Sequence, residues 1–293
     1  MGKSIFFKAF IGLGFGMLMS CDNTTADPIN QNKNNSSNPG NSGGTAITGP
    51  RILEKIVVNN VVQEEYVTNA GFLEKGSFKD ESTPNTYFTG NVTYTNNKIS
   101  RVKFVGTANG ALTYDFNITY DSNGKISGTT ATNLMGSMVV GTNDYVYTYD
   151  SSGKISKILE KRKVPGTSSY TGFVENAISY SGDNISKVVW TMGMMDSNGA
   201  PDMTSGTSVT YNYQNYDSKI NPYNTLPKTF FIMWSLIHPA NFYTLSSNNV
   251  GAFNFVFPSP APSVTAPKTY LYDSQNYPVS DQSQALKYVY KAL

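Results

Sequence analysis

Five segments of this chain repeat one another, and that repetition confines the fold to a row of similar supersecondary units. Val92-Thr93-Tyr94 leads to Lys98-Ile99-Ser100, and Ile118-Thr119-Tyr120-Asp121 leads to Gly124-Lys125-Ile126-Ser127. Tyr147-Thr148-Tyr149-Asp150 leads to Gly153-Lys154-Ile155-Ser156, Ile178-Ser179-Tyr180 to Asn184-Ile185-Ser186, and Val209-Thr210-Tyr211 to Lys219-Ile220. A weaker sixth copy is Tyr270-Leu271-Tyr272-Asp273. The tyrosines at 94, 120, 149, 180 and 211 fall 26, 29, 31 and 31 residues apart, and Tyr272 follows after 61, as though one intervening unit lacked the signature.

Each copy has the physics of a β-hairpin. Leu112, Tyr114, Phe116, Ile118 and Tyr120 alternate with Thr113, Asp115, Asn117 and Thr119, the period of two that gives a strand one buried and one wet face. Asp121-Ser122-Asn123-Gly124 and Asp150-Ser151-Ser152-Gly153 carry turn chemistry, Asp bonding its own backbone and Gly supplying positive φ. Beyond the turn Ile155 and Ile158 are three apart, which predicts a bulge that changes face. The expected fold is all-β: an up-and-down antiparallel meander forming a curled sheet or barrel. Thr229 to Ile237, an apolar run stopped by Pro239, predicts one short buried helix that plugs or covers it. Prolines 258, 260, 262 and 267 mark an irregular connection, and the last strand is expected near Ala285 to Tyr290.

Three domains of behaviour are expected along the chain. Residues 1–20 read as a signal peptide: Lys3 and Lys8, then an uncharged stretch from Ala9 to Met19, then Leu18-Met19-Ser20-Cys21. The uncharged stretch is too short to cross a roughly 30 Å hydrocarbon core. Residues 21–50 are a polar Asn/Ser/Gly linker that cannot bury enough to offset its ordering entropy. As a flexible coil the 29 residues after Cys21 reach about 30 Å. Residues 51–293 form the single β-repeat domain.

The Leu18-to-Cys21 motif resembles the signals of bacterial lipoproteins, and the resemblance implies a diacylglyceryl group on the Cys21 sulfur, cleavage before it and acylation of its amine, palmitate among the acyl chains. Several chains suffice for stable anchoring. The expected address is the cell envelope, with the outer membrane as the anchoring surface. Tyr147-x-Tyr149-Asp150-x-x-Gly153-Lys154-Ile155 resembles the YD repeat of the RHS superfamily, with Lys where that motif carries Arg. More closely, the repeats resemble envelope lipoproteins that carry a domain of unknown function with a porin-like fold. Asn215-Tyr216-Asp217-Ser218-Lys219-Ile220-Asn221-Pro222-Tyr223, the short helix and Leu245-Ser246-Ser247-Asn248-Asn249-Val250 are the shared features. That resemblance implies no chemistry.

Composition excludes several function classes. The chain has 22 basic and 20 acidic residues, and loss of residues 1–20 removes Lys3 and Lys8 and no acid, leaving 20 against 20. Such a neutral chain is a poor partner for nucleic acid. Its one cysteine, Cys21, leaves neither a disulfide framework nor a thiolate metal site, and no cofactor is expected. The one histidine, His238, ends an apolar segment beside Pro239, the setting of a packed or capping residue rather than a catalytic base. Asp121, Asp150, Asp183, Asp217 and Asp273 occupy turn positions, whereas Asp144, Glu160 and Glu175 read as solvated strand-edge charges. Asp-x-Asn-Gly at Asp121 and Asp196 lacks the further ligands of a calcium loop. Tyr145, Tyr147, Tyr149, Tyr211, Tyr213 and Tyr216 are the candidate ligand-binding residues, as stacking platforms for sugar rings, against the plainer reading of a core face. The column Thr93, Thr119, Thr148, Ser179 and Thr210 reads as a solvated strand face.

These features favour a lipid-anchored envelope protein, held to the membrane through its N-terminal lipid, that acts as a non-catalytic binding or scaffolding module for another envelope component, such as a second envelope protein. Capture of polysaccharide is the alternative, and a carboxylate-dependent glycosidase ranks below it. A membrane-spanning barrel would need an outward apolar band. The face opposite the tyrosines is Thr, Ser, Asn and Asp, so a water-facing wall is expected.

Overall fold

The computed structural model describes residues 50–80, 83, 85–108 and 110–293; the signal segment, Cys21 and the linker to residue 49 lie outside the described residues. Among the described residues there are seventeen strands. They are β1 (Arg51–Val58), β2 (Val61–Asn69), β3 (Phe72–Asp80), β4 (Thr86–Thr95), β5 (Lys98–Gly106), β6 (Leu112–Tyr120), β7 (Ile126–Met135), β8 (Met138–Tyr149), β9 (Ile155–Lys163), β10 (Gly172–Ser181), β11 (Asn184–Met194), β12 (Thr207–Gln214), β13 (Ala252–Val256), β14 (Val264–Pro267), β15 (Leu271–Tyr272), β16 (Pro278–Ser280) and β17 (Leu286–Ala292). The expected meander is what forms, all pairings being antiparallel.

The repeat turns out to be a clasp. In the hairpin β8–β9, Thr148 faces Lys157 and Tyr149 faces Ile155, so Ser156 is the extra residue of a bulge. Ser100, Ser127 and Ser186 hold the same place in the hairpins β4–β5, β6–β7 and β10–β11. Each bulge lets the isoleucine and the residue three further on both face inward, and Ile99 with Val102 and Ile185 with Val188 are buried in this way. The tyrosine then reaches back one hairpin. Tyr120 donates to the Ile99 carbonyl at 2.8 Å, Tyr149 to that of Ile126 at 2.8 Å and Tyr180 to that of Ile155 at 3.0 Å. The lysine before each isoleucine lies over the ring that arrives: Lys98 at 5.2 Å from Tyr120, Lys125 at 4.8 Å from Tyr149 and Lys154 at 5.4 Å from Tyr180.

The fifth copy corrects the repeat as read from spacing. The hydroxyl that reaches Ile185 belongs to Tyr216, at 2.7 Å, whereas Tyr211 lies mid-strand and fully buried. The long interval before Tyr272 holds the hairpin β13–β14, which lacks the signature, and also a helical insertion. Each clasp contributes one neutral hydrogen bond, so Tyr149→Phe is expected to lower stability by about 1 kcal/mol, read as a shift in urea midpoint. An unchanged midpoint would show the clasp to be idle.

Strands pair with their neighbours in sequence from β1 to β14 and from β15 to β17, and β17 pairs with β1. The two edges of the sheet are therefore β14 and β15, joined by residues 268–270 alone. Laid flat, edges seventeen strands apart would be separated by about 75 Å, yet the connecting residues span at most about 14 Å. The sheet must curl until its edges meet, a barrel open at one seam. Asn96-Asn97, Asp121 to Lys125, Asp150 to Lys154 and Gly182-Asp183 turn at one rim, and there Arg51 of β1 faces Ala292 of β17. Residues 107, 108, 110 and 111 lie at the opposite rim with the connections 164–171 and 195–206.

Between β12 and β13 the chain folds into the barrel rather than over it. The expected helix, α1 (Lys228–Ile237), is apolar nearly all round, and Phe230 to Ser235 are all buried. Trp234 stacks on Phe78 of β3 with centroids 3.9 Å apart, and Phe231 meets Tyr66 of β2 at 5.8 Å. On the far side Tyr213 of β12 donates to the carbonyls of Pro239 and Ala240, both at 3.1 Å. A segment in contact with opposite walls lies between them. Glycines make room for it: a Cβ on Gly76 would stand 2.5 Å from Phe230 Cζ, and one on Gly90 2.9 Å from Phe230 Cε2.

The outer wall carries charge. Arg101 holds Asp115 with two guanidinium nitrogens, Lys157 lies 3.7 Å from Glu175 and Lys163 3.3 Å from Asp144. Thr93, Thr119, Thr148 and Ser179 are exposed between them. These charged and hydroxyl side chains interrupt the apolar band that a lipid-facing barrel presents.

Candidate functional site

The parity that puts Ile158 inside puts Glu160 and Arg162 inside as well, because alternate residues of a strand share a face. Glu160 faces Tyr145 of β8 on one side and Val174 of β10 on the other, and Arg162 faces Asn143. Glu160 is only 3 % exposed, so the expectation of a solvated strand-edge charge does not hold for it. Burial of a carboxylate requires partners. Arg162 supplies two, Nε to Oε1 at 2.8 Å and Nη2 to Oε2 at 3.1 Å, and Asn143 Nδ2 donates to Oε1 at 2.6 Å. Burial pulls the Arg162 guanidinium down, but the Glu160 charge and hydrogen bonds outweigh it and hold the group above its ordinary value. Its remaining nitrogen, Nη1, has only the Met192 thioether, at 3.7 Å.

Around this pair the inner wall stays polar. Tyr114 of β6 is pushed up by burial and by the Glu160 charge and pulled back by Arg162. Tyr145 is raised well above its ordinary value by the same two causes. Asn176 of β10, 2 % exposed, and Asn133 of β7 each have a buried Oδ1 without a protein donor. Tyr114, Asn133, Arg162, Trp190 and Met192, toward the loop rim, are partly exposed, whereas Asn143, Glu160 and Asn176 are buried. The polar patch thus deepens from the loop rim inward.

A second cluster sits at the seam. The Lys268 ammonium lies 5.1 Å from the ring of Tyr243, 5.5 Å from Tyr270 and 5.9 Å from Phe253, and burial lowers it to about 8 against the pull of Glu64. Glu64 accepts from Tyr66 at 2.5 Å and from Tyr223 at 3.0 Å; burial raises it although both phenols and Lys268 oppose. The crevice between Lys268, Tyr243, Tyr270 and Tyr288 has no room for a water molecule, so this cluster is packing.

Of the six tyrosines singled out by sequence, Tyr145, Tyr147 and Tyr149 share the inner face of β8 and Tyr211 and Tyr213 that of β12, and none of the six is exposed. Tyr145, Tyr211 and Tyr213 are buried; Tyr147, Tyr149 and Tyr216 are partly so. The Tyr147 hydroxyl meets that of Thr129 at 2.9 Å, and those of Tyr149 and Tyr216 serve the clasps. Of the six, Tyr145 borders the polar patch. Turn duty holds for Asp121, Asp150, Asp196 and Asp273, each accepting two backbone N–H groups of its own turn. Asp217 likewise accepts the Lys219 N–H of its own turn and, from across the fold, that of Asn249. Asp183 instead takes the Lys154 ammonium at 2.7 Å. His238 ends α1 with its N–H on the Trp234 carbonyl and its ring 4.3 Å from that indole. Burial lowers it to about 4 despite Asp80, so it stays neutral at physiological pH. Among the described residues, no group of three or more His, Cys, Asp or Glu is placed to hold a metal.

No protein-family model matches the chain. No curated protein matches it. Among solved structures it is similar to a porin-like protein from Bacteroides vulgatus, at 13% identity over 83% of this chain and 100% of that one, with a TM-score of 0.47. A porin-like protein from Bacteroides uniformis is similar at 16% identity over 83% and 97%, with a TM-score of 0.44.

Proposed function

We propose that the chain is a lipid-anchored envelope protein whose barrel works as a non-catalytic binding or scaffolding module. The observation that carries the reading is the state of Glu160. Both oxygens of the one carboxylate in the inner polar patch are taken, by Arg162 and Asn143, a geometry that holds a charge in place and leaves no lone acid or base to move protons. The layout of the barrel supports it further. Because Arg51 starts β1 at the turn rim, a tether ending at Pro50 joins the end that the clasps and the insertion occupy. The end that leads to the polar patch then points away from the membrane.

The anchor is tested on protein purified from membranes. Mass spectrometry is expected to find diacylglyceryl and an amide-linked acyl chain on Cys21, and Cys21→Ala should move the protein to the soluble fraction. A bare Cys21, or a Cys21→Ala variant still in the membrane, overturns the anchoring. Glycoside turnover that disappears in Glu160→Gln overturns the non-catalytic reading.

A further inference from the structure

We propose that the inward polar patch of β6 to β11 is the binding site for a neutral saccharide, entered from the loop rim. The inference rests on reading the barrel as a binding module, and it names the ligand class.

The argument starts from hydrogen bonds left unmade. A buried amide oxygen without a donor has given up water for nothing in return, and the patch holds two, on Asn133 and Asn176. Arg162 adds a charged N–H that has only a thioether for partner. A site that offers two free acceptors and an under-used donor, all inward, fits a ligand whose groups both give and accept, which is what sugar hydroxyls do. Charge narrows the class. Glu160 and Arg162 cancel inside the patch, so neither a uronic acid nor an amino sugar gains an uncompensated counter-charge there. Rings are at hand, since Tyr114 and Trp190 belong to the same inner face, opposite Asn133 and Asn176 respectively. Gly141 lies opposite Asn133 and brings no side chain to the patch; a Cβ built on it would touch Asn133 Nδ2 at 3.7 Å and Asn143 Oδ1 at 3.9 Å.

The unpaired acceptors give the site a signature that a structural role lacks. Asn176→Leu removes an unsatisfied buried oxygen, so it should raise the urea midpoint of the ligand-free protein while weakening the sugar about tenfold or more. Gly141→Leu puts a large side chain beside Asn133 from the next strand, and its backbone needs no positive φ. It should abolish binding with the fold intact.

The experiment is calorimetric titration of the full chain in detergent with glucose, galactose, mannose, their disaccharides, glucuronate and glucosamine, with product formation followed by chromatography. Saturable binding of at least one neutral sugar, about tenfold tighter than the charged ones and lost in both variants, supports the site. No neutral binding, equal binding of glucuronate, or binding that survives both variants overturns it. Hydrolysis would instead sink the non-catalytic reading, and neither result depends on Cys21.

Discussion

Phe230→Ala is expected to cost about 3–5 kcal/mol, the range for emptying a fully buried phenylalanine site. Phe230 is 0 % exposed and stands at the centre of the contact between the insertion and the wall. Its ring is 5.4 Å from those of Phe104 and Phe231 and 6.0 Å from Phe78. It is also the ring that Gly76 and Gly90 admit. The strand glycines make the prediction specific to this packing. Gly76→Ala alone should cost about 1–3 kcal/mol, since the new methyl collides with Phe230. In the Phe230→Ala background the collision is gone, so Gly76→Ala should then cost markedly less, a coupling that a double-mutant cycle in urea measures directly. Additive costs would mean that the helix does not lie against β3.

Arg162→Leu is expected to cost about 3 kcal/mol. Stripping one partner from a buried ion pair costs about 3–5 kcal/mol, and the lower end applies because solvent reaches 35% of the Arg162 side chain while it reaches 4% of Glu160. Asn143 would remain as the one donor to a buried carboxylate. The double substitution Glu160→Leu with Arg162→Leu should recover most of the loss, because no charge is then left inside. If Arg162→Leu is silent in urea denaturation, Glu160 is not held as the structure has it.

Much of this architecture is written in local pattern, and the exceptions have one cause. The spacing of Ile155 and Ile158 announced the bulge, alternation in β6 announced its faces, and Pro239 announced the end of α1. Tyr216 takes the place that repeat spacing assigns to Tyr211, because spacing cannot register a side chain that reaches back to Ile185. Glu160 and Arg162 were readable in principle, being two and four residues from inward Ile158. Charge argued for the outside, and what overrules charge is a partner, Asn143, that only strand pairing brings opposite. Closure was the least legible of all. The pairing of β1 with β17 and the entry of the helical insertion among β2, β3 and β12 are long-range facts without a local signature.

That last pairing also governs when the molecule can finish. Arg51 and Ala292 are bonded neighbours at opposite ends of the described chain, and contacts of such sequence separation are made late and slowly. Until the final strand has been synthesised and docked, β1 presents an unsatisfied edge. A nascent copy is therefore a row of linked hairpins with a free margin, and escape from self-association depends on keeping it apart from other unfinished copies.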